Sequence, residues 1–345
     1  MQQLYINNFS EIAMQLEKIS DTIAIITDET VTELYGKKLA HELHEAGLTP
    51  LLLTIPSGET SKTRQIKEGI EDSLLEARFG RNLLIVGMGG GVVTDLSGFV
   101  AATYMRGVKL AFIPTTLMAM CDAAIGGKNG VNTREGKNLI GSFYPPSHLL
   151  IHLPFLESLP DDQLRSGFAE VIKYGCILDE PFFDLLKKSP KPNEEIVKRS
   201  IAHKLSVVEK DGMEMGYRRI LNFGHTIAHA IERACNYSIP HGDAVGIGML
   251  AEARISSKMG YLPDDDYEAI KSLLTLYGFT LGLSDLDPKL LQRALRIDKK
   301  SEHQTPRFVL IDRIGHTLDF DGQYCTQVPD NLIEATIQEL IHGRL

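Results

Sequence analysis

Short apolar runs alternate with amphipathic stretches along roughly the first 150 residues of the chain. Thr22–Thr27, Pro50–Ile55, Asn82–Val86 and Lys109–Ile113 read as strands, brief and apolar at consecutive positions. Between them, Val31–Ala46 (closed by Gly47), about Lys62–Ala77, and the stretch from the glycine-rich turn after Val86 to about Tyr104 carry the helical period. Strands apolar at every position are buried on both faces, which implies a parallel sheet covered by helices.

Beyond His152 the pattern changes to helices broken at Pro and Gly. Glu194–Val208, His225–Cys235 and Val245–Met259 are the clearest. The acidic run Asp264–Asp266 suits the start of a further helix, where negative charge meets the helix dipole. Arg307–Ile311 reads as a late strand, and a terminal helix is expected from about Asn331. Neither an internal repeat nor a low-complexity tract interrupts the pattern. The fold class expected is an α/β N-terminal, Rossmann-like parallel-sheet domain over 1–152 and a mainly α-helical C-terminal domain over 153–345. Ligands of such sheets bind at the carboxyl ends of the strands, so the active site is expected in the cleft between the two domains.

Composition narrows the function classes. The 345 residues suffice for two domains with cores of their own, at 43% hydrophobic and 23% charged content. A net charge of −9 argues against a nucleic-acid surface, while leaving room for a local basic pocket that takes an acidic small molecule. The four cysteines are scattered without a CxxC pair, as expected of free thiols in a reducing compartment. No basic segment followed by an apolar core opens the chain, and no apolar run reaches about 18 residues. A cytoplasmic protein without membrane contact is expected.

Candidate chemistry is concentrated around Asn222. His225 and His229 stand four apart in a helical stretch, on one face and about one turn apart, and His241 follows a short connection. A lone histidine is ordinarily a satisfied core residue; three in this span, flanked by Gly224 and Gly242, point to a zinc-like metal. Spacing favours His225 and His229 as the pair. A further ligand must come from elsewhere, and Glu170, in Gly167–Gly175, would complete a Glu/His/His set with open positions, the form of a catalytic metal site. The competing reading is a surface glutamate paired with Lys173, and periodicity does not separate the two.

Other polar segments fall at strand ends. Gly87-Met-Gly-Gly-Gly91-Val-Val-Thr-Asp95 follows a strand and opens a helix. Glycines there let a backbone approach a pyrophosphate at a helix N-terminus, although Val92 stands where the third glycine of GxGxxG would be. Asp95 suits a hydroxyl or a cofactor amide. Ser57–Lys62 and Pro114–Thr116 end two more strands. Cations among glycines and apolar residues (Arg106, Lys128, Lys137, Lys173, Lys204, Arg218 and the pair Lys299-Lys300) suggest a substrate with more than one negative charge.

In their order along the chain, these stretches resemble the 3-dehydroquinate synthase family over nearly the full length. The matches are Gly-Glu-Thr-Ser-Lys (58–62), Gly-Gly-Gly-Val-Val-Thr-Asp (89–95), Tyr-Met-Arg-Gly (104–107) and Pro-Thr-Thr (114–116). They continue with Gly-Gly-Lys-Asn-Gly-Val-Asn (126–132), Gly-Lys-Asn-Leu-Ile-Gly (136–141) and Ala-Glu-Val-Ile-Lys-Tyr-Gly (169–175). Leu-Asn-Phe-Gly-His-Thr (221–226) and His-Gly-Asp-Ala-Val (241–245) complete the set.

The resemblance implies a divalent metal, zinc or cobalt, on Glu170, His225 and His241, with His229 turned to substrate. It implies NAD contacts from Ser57, Gly58, Glu59, Thr60, Ser61, Lys62, Gly91, Val92, Val93, Thr94, Asp95, Thr115, Thr116, Lys128, Lys137, Phe155, Leu156, Glu157 and Ser158. Arg106, Lys128, Asn138, Lys173, Lys204, Arg218, Asn222, His229 and Lys300 (or Lys299) would surround the substrate. The implied reaction turns 3-deoxy-D-arabino-heptulosonate 7-phosphate into 3-dehydroquinate and phosphate, by transient oxidation with NAD, phosphate elimination, reduction and aldol closure. That makes it a lyase of the shikimate pathway, toward chorismate and the aromatic amino acids, expected as a homodimer. Four positions depart from the family pattern: Asp243 for Glu, Thr94 and Ala228 for Gly, and Gly212 for an acidic residue.

Three other readings remain open on sequence. Another sugar-phosphate cyclase would use a substrate without carboxylate and would not need Arg218 and Lys204. A metal-dependent NAD polyol dehydrogenase would release NADH, and a non-catalytic nucleotide-binding module would not need an open metal site.

Overall fold

The computed structural model describes all residues except 284, 285, 298–305 and 344. The chain divides into two compact units, Met1–Pro160 and Asp161–Leu345.

The first unit is built on a parallel sheet with the order β1-β8-β5-β4-β2-β3, where β1 is Gln2–Tyr5, β2 Ile23–Asp28, β3 Leu51–Ile55, β4 Leu84–Gly89, β5 Lys109–Pro114 and β8 His148–Ile151. The central strands are buried along almost their whole length, as their unbroken apolar sequence requires. Helices α1 (Phe9–Glu17), α2 (Glu29–Val31), α3 (Lys37–Glu45), α4 (Arg64–Glu76) and α5 (Gly91–Thr103) cover it. A π-type turn, Thr32–Gly36, joins α2 to α3, so the helix read as one run over Val31–Ala46 is nearly continuous with a widened turn inside it. Strand β3 lies on one side of β2 and β4 on the other, so the winding direction reverses at β2. The register aligns Asp28 with Ile55 and Gly89 with Pro114, which brings the polar segments after β2, β3, β4 and β5 to one edge of the sheet.

Strands β1 and β8 and one hairpin of this unit escape the sequence pattern. Lys128, Lys137 and Asn138, set among glycines, lie on a hairpin of β6 (Lys128–Thr133) and β7 (Gly136–Phe143). The glycines that hid the hairpin are what close it: a Cβ on Gly141 would fall 1.9 Å from the Asn129 carbonyl oxygen.

The second unit packs α6 (Asp161–Leu178), α7 (Glu180–Lys188), α8 (Glu194–Lys210), α9 (His225–Ala234), α10 (His241–Lys258), α11 (Asp264–Leu276), α12 (Pro288–Ile297) and α13 (Asp330–Ile341). The strand expected at Arg307–Ile311 is divided between two small antiparallel pairs: β9 (Arg307–Phe308) with β12 (Thr326–Gln327), and β10 (Ile311–Arg313) with β11 (His316–Thr317). The helix expected from Val245 begins four residues earlier, at His241, after Pro240 with ψ 143°. Pro240 and Gly242 look like a turn in sequence, yet proline favours a helix start, and Gly242 is there for packing.

Candidate metal and ligand sites

Glu170 sits in the middle of α6 and is 1% exposed; His225 and His241 are the first residues of α9 and α10. One potential ligand atom from each of these three lies within 4.8 Å of the others. Nε2 of His225 is 3.4 Å and Nε2 of His241 3.8 Å from Glu170 Oε1.

Two close helix crossings make this possible. A Cβ on Gly242 would lie 2.3 Å from Ser166 Cα, so α10 begins against α6 one turn before Glu170; Gly242 N–H donates to Ser166 Oγ at 3.2 Å. Asp243 accepts two bonds from Arg165, at 2.8 and 3.2 Å, tying the same two helices. Where α9 meets α10, a Cβ on Gly248 would lie 2.0 Å from the Gly224 carbonyl oxygen. Gly224 takes φ 82° and gives α9 no side-chain cap of its own. The buried Glu252 of α10 caps it instead, accepting from the Gly224 N–H at 2.9 Å.

Charge favours the ligand forms. Burial pushes the Glu170 carboxyl up, but neighbouring positive charge, foremost the Lys173 ammonium, outweighs it and holds the group well below the usual carboxylate range. Burial, with Lys173 beside it, lowers His225 and keeps its imidazole neutral. Lys173 is 2% exposed and pairs with Glu170, so the pairing weighed in sequence is present, inside the core and alongside the two histidines. An ionised carboxylate and a neutral imidazole are the forms that bind a divalent cation. This donor set fits zinc or cobalt.

Beside the group is an open cavity of about 410 Å³, whose lining includes Glu214, Arg219, Asn222, His225, His229 and Arg307. His229 is exposed, with its ring centroid 5.6 Å from that of His225 and 6.3 Å from that of His241. The close set of three therefore takes His241, not the partner that i, i+4 spacing favoured. Asn222 donates to Glu214 Oε1 at 2.9 Å. Arg218 is 1% exposed and donates to the Gly212 carbonyl at 2.8 Å, behind the wall to which Arg219 contributes. Lys204, on α8, is buried. Lys299 and Lys300 lie outside the described residues.

Glu214, Arg219, Arg307, Glu232 and Glu252 are the residues here that sequence reasoning passed over. Glu232 carried a usable signal, since it stands seven residues after His225 on the same helical face. The others are positioned by loops and neighbouring helices that no local pattern encodes.

At the sheet edge of the first unit, α5 begins at Gly91 without a side-chain cap, leaving first-turn N–H groups for an anion. Glycine is required for packing just before it: a Cβ on Gly89 would lie 2.6 Å from Val93 Cγ2. Val92 and Val93 belong to the first turn, and Thr94 returns its hydroxyl to the Gly91 carbonyl at 3.1 Å. Lys62, 4% exposed, pairs with Asp95 and donates to Asn138 Oδ1 at 2.5 Å. Burial raises the Asp95 carboxyl above its ordinary value despite Lys62.

Ser57 bonds Asp28 at 3.1 Å, and Glu59 accepts from Asn132 at 2.6 Å. Gly58 has φ 100°, Thr60 is exposed, Ser61 is buried, and Thr116 Oγ1 accepts from Ala119 N–H beside the buried Thr115. Arg106 is exposed, in a tight turn with φ 67°. Phe155 and Leu156 are buried, Phe155 against Tyr35 at 4.5 Å between centroids, while Glu157 and Ser158 are exposed. A glycine-lined, polar sheet edge with an uncapped helix start fits a dinucleotide.

Sequence comparison finds a match to the family description "3-dehydroquinate synthase N-terminal" over residues 52–166 and to "3-dehydroquinate synthase C-terminal" over 167–301. A curated 3-dehydroquinate synthase from Thermodesulfovibrio yellowstonii is 42% identical over 307 residues, covering 86% of each chain, and further relatives near 40% carry the same description. Among solved structures, a 2-deoxy-scyllo-inosose synthase complexed with carbaglucose-6-phosphate, NAD+ and Co2+ is 27% identical with a TM-score of 0.88, covering 98% of this chain and 96% of its own. The 2-epi-5-epi-valiolone synthase of Streptomyces hygroscopicus, with NAD+ and Zn2+ bound, is 28% identical with a TM-score of 0.89, covering 99% and 97%.

Proposed function

This chain belongs to the 3-dehydroquinate synthase family, and on that premise we propose that it converts 3-deoxy-D-arabino-heptulosonate 7-phosphate into 3-dehydroquinate and phosphate. The observation that carries the reading is the convergence of Glu170, His225 and His241 beside an open cavity, in a chain that matches the family over both units. Phosphate departs by breaking a carbon–oxygen bond, so the enzyme is a carbon–oxygen lyase, in the shikimate route to the aromatic amino acids.

Glu170, His225 and His241 would hold one zinc or cobalt ion. NAD would be held by Ser57–Lys62, Gly91–Asp95, Thr115, Thr116, Lys128, Lys137 and residues 155–158, where the uncapped start of α5 suits a phosphate. When bound, NAD supplies a hydride acceptor that returns what it takes, and the cation acidifies a substrate hydroxyl. Lys173, Asn138, Asn222, His229 and Lys300 bind the phosphate, and Arg106 and Lys128 add positive charge around the substrate. Arg218 and Lys204, both buried in this structure, are the cations proposed for the carboxylate, and Arg219, next to Arg218 in sequence, already lines the cavity. The phosphate's own oxygen is basic enough to take the proton during elimination, so the protein need supply only position and charge there.

A cytoplasmic enzyme is the setting we propose, on the family membership alone. All four cysteines are free, and no described helix is long and apolar enough to cross a membrane. We take a homodimer as the assembly, which light scattering would test.

The substrate is tested by supplying metal and NAD with either the heptulosonate phosphate or a sugar phosphate lacking the carboxylate. Turnover of the first alone, with 3-dehydroquinate as product, is expected. Turnover of the second alone would assign the chain to a different cyclase activity.

A further inference from the structure

Each histidine of the three-residue group has an oxygen near its second ring nitrogen. Nδ1 of His225 lies 3.2 Å from the Phe223 carbonyl oxygen, an acceptor, so this nitrogen carries the proton and Nε2 is left with its lone pair toward Glu170. At His241 a side chain stands in the corresponding place: Nδ1 is 3.5 Å from Glu232 Oε1, and Nε2 is 3.8 Å from Glu170 Oε1 on the other side of the ring. Imidazole coordinates through one nitrogen only when the proton is kept on the other, and the acceptor facing that proton decides the tautomer.

We propose that Glu232 is a positioning residue for the metal centre, holding the proton on Nδ1 of His241 and turning Nε2 toward the point shared with Glu170 and His225. The proposal rests on reading Glu170, His225 and His241 as the ligand set. It assigns Glu232 to no substrate contact.

Placement supports it. Glu232 follows His225 by seven residues and His229 by three, so all three side chains leave one face of α9. Its side chain is 3% exposed, and a carboxylate held that deeply is costly unless it serves a donor or a cation. His241 needs the support more than His225 does. Its side chain is 37% exposed, against 14% for His225, so packing restrains the ring less. It also opens α10 behind Pro240, away from the carbonyl that Phe223 offers to His225. A second carboxylate close to the group adds negative charge where a divalent cation would sit.

The test is zinc affinity of the apo chain, measured by competition with a chromophoric chelator. Glu232→Ala is expected to weaken zinc binding by about 10–100-fold. Glu232→Gln, which keeps an oxygen facing Nδ1, is expected to recover most of that loss. Loaded with Co2+, Glu232→Ala should show an altered visible absorption spectrum, and Glu232→Gln a spectrum close to that of the parent. Glu170→Ala and His241→Ala run alongside and are expected to lose zinc. Parent-like zinc affinity and Co2+ spectrum in Glu232→Ala, while those two variants fail to bind, would overturn the role of Glu232 and leave the ligand set intact. Unaltered binding in Glu170→Ala and His241→Ala would overturn the ligand set, and this proposal with it. Should Glu232→Ala not fold, the 15N spectrum of the zinc-loaded parent, labelled at histidine, decides the matter. A protonated Nδ1 on His241 is expected, and an unprotonated, metal-bound Nδ1 overturns the proposal.

Discussion

Asp211 accepts backbone N–H bonds from Met215 at 3.0 Å, Gly216 at 2.8 Å and Arg218 at 3.0 Å, so one carboxylate shapes the loop that carries Arg218 and Glu214. Burial alone would raise this group; the N–H donors outweigh it and pull it down to about 2. A depressed carboxyl stabilises the fold fully above its unfolded value and loses that contribution as pH falls toward its folded value. The denaturant midpoint of Asp211→Asn should therefore lie below that of the parent by a constant amount above about pH 5, and the gap should shrink as pH falls from about 4 toward 2. A gap that does not change with pH would contradict the assignment. At this scale the sequence was legible only in part. It presented three histidines and Glu170, but helical spacing favoured His229 over His241, because an i, i+4 rule sees one helix and the group is assembled from three. Arg218 and Arg219 are neighbours in sequence, and only the turn after Asp211 buries one while the other lines the cavity.

The helices that carry Glu170, His225 and His241 are held by close approach at glycine and by one borrowed cap. In Gly242→Ala the new methyl must displace Ser166, and the start of α10 moves with it. We expect a loss of about 1–3 kcal/mol in unfolding free energy, together with weaker zinc binding, since His241 precedes the substituted residue. Full stability with parent-like zinc affinity would show that α6 and α10 are not fixed at this crossing. Glu252 gives a second check on the same packing. Burial pushes its carboxyl up to about 8, against the N–H groups of Gly224, Ile227 and Thr226. A raised carboxyl stabilises most below its ordinary value near 4.5 and loses that contribution as pH rises through about 8. Relative to Glu252→Gln, the parent should therefore lose stability between about pH 5 and 9. A constant difference over that range would count against this account of Glu252. Strands and helices of strong period were readable because burial on both faces, or on one stripe, leaves a mark in the sequence. The β6–β7 hairpin and the true start of α10 left none, since Gly and Pro signal a turn whether they break an element or let two elements touch.

Over the whole molecule, the α/β first unit and the helical second unit follow from a change in hydrophobic period near residue 152, and the reaction class follows from ordered motifs in both. Fold alone does not choose among cyclases, because structures with TM-scores of 0.88 and 0.89 bear other names; identity near 40% to curated relatives does choose. The central claim is that NAD is used and regenerated within each turnover while phosphate is lost. It is tested by following phosphate and NADH together in one reaction of the metal-loaded protein with NAD and 3-deoxy-D-arabino-heptulosonate 7-phosphate. The account predicts phosphate in many-fold excess over NAD with no net NADH. NADH accumulating in step with substrate consumption, without phosphate release, would contradict it.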